Sequence, residues 1–145
     1  MKNKIVDLVI WDLDDTFWKG TLSEGPIDII EENCTLVKEL VKRHVKCSIC
    51  SKNDFDPVKE KLTECMMWQY FESPSINWES KAHRIRNIIK VLKIQPDRTL
   101  FIDDKDSNLK ETKNLIPNIQ VLNAKYMNKA LNEIINSYTC DEYFI

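Results

Sequence analysis

The sequence predicts a doubly wound α/β fold, a mainly parallel sheet with helices on both faces and no large cap domain. Three observations lead there. Short apolar runs rich in β-branched and aromatic residues, LVIW at 8–11 and TLFI at 99–102, end abruptly in carboxylates, and such runs read as strands buried on both faces. Segments with apolar residues at helical spacing alternate with these runs. Gly20, Gly25 and Pro26 gather just after the first run, so residues 19–28 form one irregular excursion, long enough for a small β-flap. With 145 residues and no linker, repeat or low-complexity tract, the span 1–145 reads as a single domain.

Each element has its own signal. After the first strand, Cys34, Val37, Leu40 and Val41 give residues 30–43 a helical face, and Lys42, Arg43 and His44 crowd the end where the helix dipole is negative. VKCSIC at 45–50 reads as the second strand and runs into Ser51, Lys52, Asn53 and Asp54. The next helix is expected to open with Asp56 as N-cap and Pro57 in the first turn, turning Val58, Leu62 and Cys65 inward. Residues 66–78 read as a short strand and loop. Ile85, Ile88, Ile89 and Leu92 make one stripe of a helix over 79–92. Beyond TLFI, a helix over 107–114, a strand over 119–122 and a helix over 128–138 complete the alternation.

Composition narrows the function. Hydrophobic residues make up 43% of the chain, which suits a packed globule and not a disordered one. A net charge of -2 carries no bias toward nucleic acid or an anionic membrane, and neither is expected as a partner. The basic start MKNK leads into an apolar run too short and too soon broken by acids for a secretory signal, and no segment approaches the ~18 apolar residues of a membrane helix. Five cysteines, an odd number in mostly apolar contexts, suit a reduced cytoplasmic protein. Cys47 and Cys50 form a CxxC, but an odd separation along a strand sends the thiols to opposite faces, which favours core packing over a shared metal.

The chemistry concentrates at strand ends. Desolvating a carboxylate costs several kcal/mol unless it is paired or metal-bound, and ligands of open α/β sheets bind at the carboxyl ends of the strands. Asp12 and Asp14, two apart, leave one side of an extended chain. One can attack phosphorus while the other gives a proton to the leaving oxygen. Like charges so close call for a divalent cation or a raised pKa. Asp15 reads as a turn residue, and Thr16 can hydrogen-bond that turn. Asp103 and Asp104 end another strand. With Asp12 and a main-chain carbonyl near Asp14 they can hold Mg²⁺ if the strands are adjacent, Asn108 orienting the pair; a solvated turn with an N-cap is the alternative. Lys81 shares a face with Ile85 and Ile88, so it points inward at a helix N-terminus, suited to an anionic ligand or to snorkelling. Ser51 can donate to a phosphoryl oxygen or serve a turn. His83, Arg84 and Arg86 read as a solvated helix face.

DLDDT at 12–16, Ser51 after a strand, Lys81 opening a helix and Asp103-Asp104 after another strand resemble, in order, the four motifs of the haloacid dehalogenase superfamily. WDLDDTFWKG, SKND, INWESKA and FIDD are similar to its FkbH-like branch, subfamily IIIC, and to the magnesium-dependent phosphatases. The resemblance implies a Rossmann-like fold and Mg²⁺ held by Asp12, Asp14, Asp103 and Asp104. It also implies Asp12 as nucleophile, Asp14 as general acid/base, and Ser51 and Lys81, with Lys52 and Asn53, as phosphate ligands. The expected activity is a Mg²⁺-dependent phosphatase working through an aspartyl-phosphate on a small-molecule, phosphoprotein or carrier-bound substrate. The alternatives are glyceryl or acyl transfer to an acyl carrier protein through Cys50, with Lys19 charging the mouth of the site against it, and a non-catalytic phosphate-binding module.

Overall fold

The computed structural model describes residues 5–142, with side chains through Ser137, so the basic start and the Cys140 thiol lie outside the described residues. Five parallel strands make the main sheet: β1 (Leu8–Trp11), β4 (Lys46–Lys52), β5 (Ser75–Asn77), β6 (Thr99–Asp103) and β7 (Gln120–Asn123), in the order β5-β4-β1-β6-β7. β1 lies between β4 and β6, with Trp11 opposite Ile49 on one side and Ile102 on the other. The chain winds outward from β1 through β4 to β5, then returns to the other side of β1 for β6 and β7. The strand order therefore reverses between β1 and β6, the crevice in which open α/β sheets bind ligands.

The continuous apolar character of β1 follows from burial on both faces. Val9 and Trp11 enter one core with α1 (Glu31–Lys42), α2 (Phe55–Glu64) and α5 (Met127–Glu142). Leu8 and Ile10 enter the other, with α3 (Lys81–Leu92) and α4 (Asp106–Leu115). Cys47 and Cys50 fall into opposite cores, as strand alternation requires. After β1 the chain makes only a small antiparallel hairpin, β2 (Trp18–Lys19) against β3 (Asp28–Ile29).

Boundaries differ from the sequence reading where local signals compete. β4 continues two residues past the apolar run, through Ser51 and Lys52, because pairing with β5 holds both. α2 starts at Phe55 with Asp54 in the N-cap position, so Asp56 lies inside the first turn and caps nothing. Pro57 is tolerated there because the first turn's N–H groups have no intrahelical acceptor. Cys65 ends that helix half-buried instead of facing inward.

Candidate active site

The site begins where β1 stops. Asp12 N still donates to Ile102 O of β6 at 3.0 Å, after which the chain folds over. The carbonyl of Leu13 accepts from the amides of Thr16, Phe17 and Trp18 at 3.0–3.2 Å. Asp15 closes this turn in the left-handed region (φ 54°), its Oδ1 accepting from Gly20 N at 2.9 Å, which is the turn role its exposure suits. Two buried residues fix the loop from beneath. Phe17 packs edge-on against Trp11 and Phe71, and Asn33 of α1 donates to the carbonyls of Thr16 and Phe17 at 3.1 and 2.9 Å.

Above the turn lies a cavity of about 440 Å³ lined by, among others, Asp12, Asp14, Lys52, Lys81, Asp103 and Asp104. Lys81 Nζ sits 2.7 Å from both Asp12 Oδ1 and Asp103 Oδ2, with all three side chains buried. Thr16 Oγ1 lies 2.9 Å from Asp12 Oδ2 and 3.4 Å from Asp104 Oδ1. Asp103 also accepts from Lys105 N at 2.9 Å and Asn108 Nδ2 at 3.1 Å. One carboxylate oxygen from each of Asp12, Asp103 and Asp104 lies within 4.8 Å of the others, so the three can hold a cation.

The charges are unbalanced. Burial first, opposed by Lys81 and helped by Asp103 and Asp104, holds the Asp12 carboxyl up at about 8. Burial works against the Lys81 ammonium, yet Asp12 and Asp103 outweigh it and hold the lysine above its ordinary value. Three carboxyl groups crowd one ammonium, more than it can neutralise when all are ionised, which is why the metal-free site holds a proton on Asp12. Such a set of oxygen donors fits a hard divalent cation.

Asp14 stands apart from that cluster although it lines the same cavity. Its Oδ1 accepts from Trp18 Nε1 at 2.9 Å and Leu22 N at 3.0 Å, and its Oδ2 from Asn53 Nδ2 at 3.0 Å. Asn53 departs from the phosphate-ligand reading: its amide nitrogen donates to Asp14 and, at 3.0 Å, to Ser51 Oγ, so it holds other groups in place. Ser51 is buried at the end of β4, and Lys52 is exposed on the cavity wall. Lys19, expected at the mouth, pairs across the hairpin with Asp28 and does not line the cavity. Cys50 is fully buried, and burial pushes its thiol up to about 11, a poor nucleophile for acyl transfer.

Arg84 corrects the sequence reading. His83 and Arg86 are exposed, but Arg84 is buried and donates to the carbonyls of Ser51, Ser75, Asn77, Glu79 and Ser80 at 2.9–3.3 Å. It thereby ties the end of β4 to β5 and to the loop entering α3. Periodicity carried a signal: Arg84 lies three residues after Lys81 and four before Ile88, and Asn33 lies four before Val37. Both are polar residues on an apolar face.

No family model and no curated protein matches the sequence. Solved structures do match the fold. The N-terminal part of a Bacteroides fragilis protein, containing a phosphatase domain complexed with Mg, superposes with a TM-score of 0.73 at 26% identity, covering 82% of this chain and 36% of that one. The chain thus spans about a third of that structure's length. The cobalt-bound deoxy-D-mannose-octulosonate 8-phosphate phosphatase of Haemophilus influenzae gives 0.67 at 15% identity, covering 92% of this chain and 88% of that one. A HAD-superfamily hydrolase from Ehrlichia chaffeensis gives 0.68 at 12%, covering 91% and 98%. In fold the chain is similar to these phosphatase and hydrolase structures, and the ends of β1, β4 and β6 and the start of α3 meet at one cavity.

Proposed function

We propose that the protein is a Mg²⁺-dependent phosphohydrolase that works through an aspartyl-phosphate on Asp12. The observation that carries this reading is the junction of Asp12, Asp103 and Asp104 around Lys81, with Asp14 on the wall of the same cavity. Asp12, Asp103 and Asp104 would hold Mg²⁺, which would supply positive charge to offset that on the phosphoryl oxygens. Asp12 attacks phosphorus in line; the P–O bond to the leaving group breaks, and Asp14 gives its proton to the departing oxygen. Asp14 then takes a proton from water, whose oxygen attacks the aspartyl-phosphate, releasing inorganic phosphate and restoring Asp12.

Hydrogen bonding selects the oxygen of Asp14 that exchanges the proton. Among the described residues, Oδ1 accepts from two donors, whereas Oδ2 accepts from Asn53 alone and keeps a lone pair for the proton. Lys81, Ser51 and Lys52 supply positive charge and donors to the phosphoryl oxygens, the electrostatic contribution that dominates this chemistry. Asn53 and Asn108 position Asp14 and Asp103. Acid/base help from Asp14 contributes about 10²- to 10⁴-fold.

The test is release of inorganic phosphate from p-nitrophenyl phosphate, with Mg²⁺ and with EDTA. Metal-dependent release by the wild type, lost in Asp12→Asn and reduced at least about 10²-fold in Asp14→Asn, is the expected result. Full activity in Asp12→Asn, or release unaffected by EDTA, overturns the mechanism.

A further inference from the structure

Trp78 stands at the edge of the acidic cavity with 56% of its surface exposed. Its ring is nevertheless held, because Nε1 donates to Asp54 Oδ1 at 2.8 Å. Exposure forgoes much of the stabilisation an indole gains by burial, so core packing does not account for a tethered, open aromatic face. Trp78 also lines a second groove of about 980 Å³, together with Phe55, Ile76, Asn77, His83 and Asn87. The cavity and the groove thus share one wall. A phosphate ester with its phosphorus over Asp12 has room to extend its leaving group along that wall.

The groove's chemistry defines what it takes. Its size lies at the upper end of small-molecule sites. Asn77, His83 and Asn87 offer amide and imidazole donors and acceptors beside the apolar Ile76 and Phe55. Among the described residues no lysine lines it, and the Arg84 guanidinium is engaged by backbone carbonyls. A second phosphate finds no free cation there beyond His83. A neutral ring with a C–H face for the indole and hydroxyls for the amides fits. We propose that Trp78 is the platform on which the ring of a sugar phosphate lies while its phosphoryl group reaches Asp12. This assignment rests on the phosphohydrolase reading above.

The experiment measures kcat/KM with Mg²⁺ for a panel of cyclic sugar phosphates, glycerol 3-phosphate, a tyrosine-phosphorylated peptide and acetyl phosphate. Wild type is expected to favour at least one cyclic sugar phosphate over glycerol 3-phosphate and over the peptide. Trp78→Ala is expected to lower the ratio of that sugar phosphate to acetyl phosphate about tenfold, and Trp78→Phe to restore most of it. An unchanged ratio, an equal loss on every substrate, or a preference for the phosphopeptide overturns the proposal. Turnover of acetyl phosphate by wild type checks the hydrolase reading separately. If that turnover is absent, indole fluorescence still reads the platform in Asp12→Asn: Trp11 and Trp18 are fully buried, Trp68 is half-buried, and the comparison with Trp78→Ala in the same background isolates the Trp78 signal. Quenching by a cyclic sugar phosphate that Trp78→Ala removes supports the platform, and no quenching overturns it.

Discussion

Asp12 contributes a pH dependence to the stability of the metal-free protein. Its folded carboxyl is raised by burial from 3.8 to about 8, so between those values the folded state binds more protons than the unfolded one. Stability therefore falls as pH rises through that window. Thermal unfolding in EDTA is expected to give a melting temperature that declines from pH 4 toward pH 8, with a flatter decline in Asp12→Asn; an equally steep decline in that variant contradicts the assignment. Acids at strand ends, namely Asp12, Asp14, Asp103 and Asp104, and the inward lysine opening α3, Lys81, stood out by type and spacing. Asn33, Asn53 and Arg84 did not, because their partners are largely backbone carbonyls or residues distant in sequence. A side chain that binds main chain has no partner to find in the sequence.

At the scale of elements, α3 does two jobs from one face. Lys81 reaches the cavity and Arg84, one turn later, ties β4 to β5. Lysine cannot reproduce the planar fork, so Arg84→Lys leaves buried carbonyls unpaired. A loss of about 2–4 kcal/mol in denaturant unfolding is expected, from hydrogen bonds to a charged group worth about 1.5–3 kcal/mol each, partly replaced. An unfolding midpoint equal to wild type removes that role. The sequence showed that the helices exist but misplaced the start of α2. The helix starts at Phe55 with Asp54 in the N-cap position, and the Asp54 carboxylate accepts from Trp78 Nε1, a partner 24 residues away that the local pattern does not record.

At the scale of the molecule, the reversal of strand order sets Asp12 beside Asp103 and Asp104. Alternation of element types predicted the fold class, but strand order depends on how the helices pack, which no local pattern records. The three carboxyl groups at this junction, once ionised, make a bound cation stabilising. With Mg²⁺ at 100 times its Kd the folded state gains about 2.7 kcal/mol, so melting temperature is expected to rise with Mg²⁺ and to fall back with EDTA. Asp104→Asn is expected to blunt the rise, and a melting temperature indifferent to Mg²⁺ counts against a metal at the junction. The hairpin supplies a different handle. The Leu22 N–H donates to Asp14 Oδ1, so one backbone proton in the loop beyond β2 registers what that carboxylate does. Deuterium uptake at Leu22 is expected to be slow in the wild type and fast in Asp14→Ala. Equal uptake in both breaks the link; otherwise that amide is an isotope clock for the state of the acid, readable without substrate.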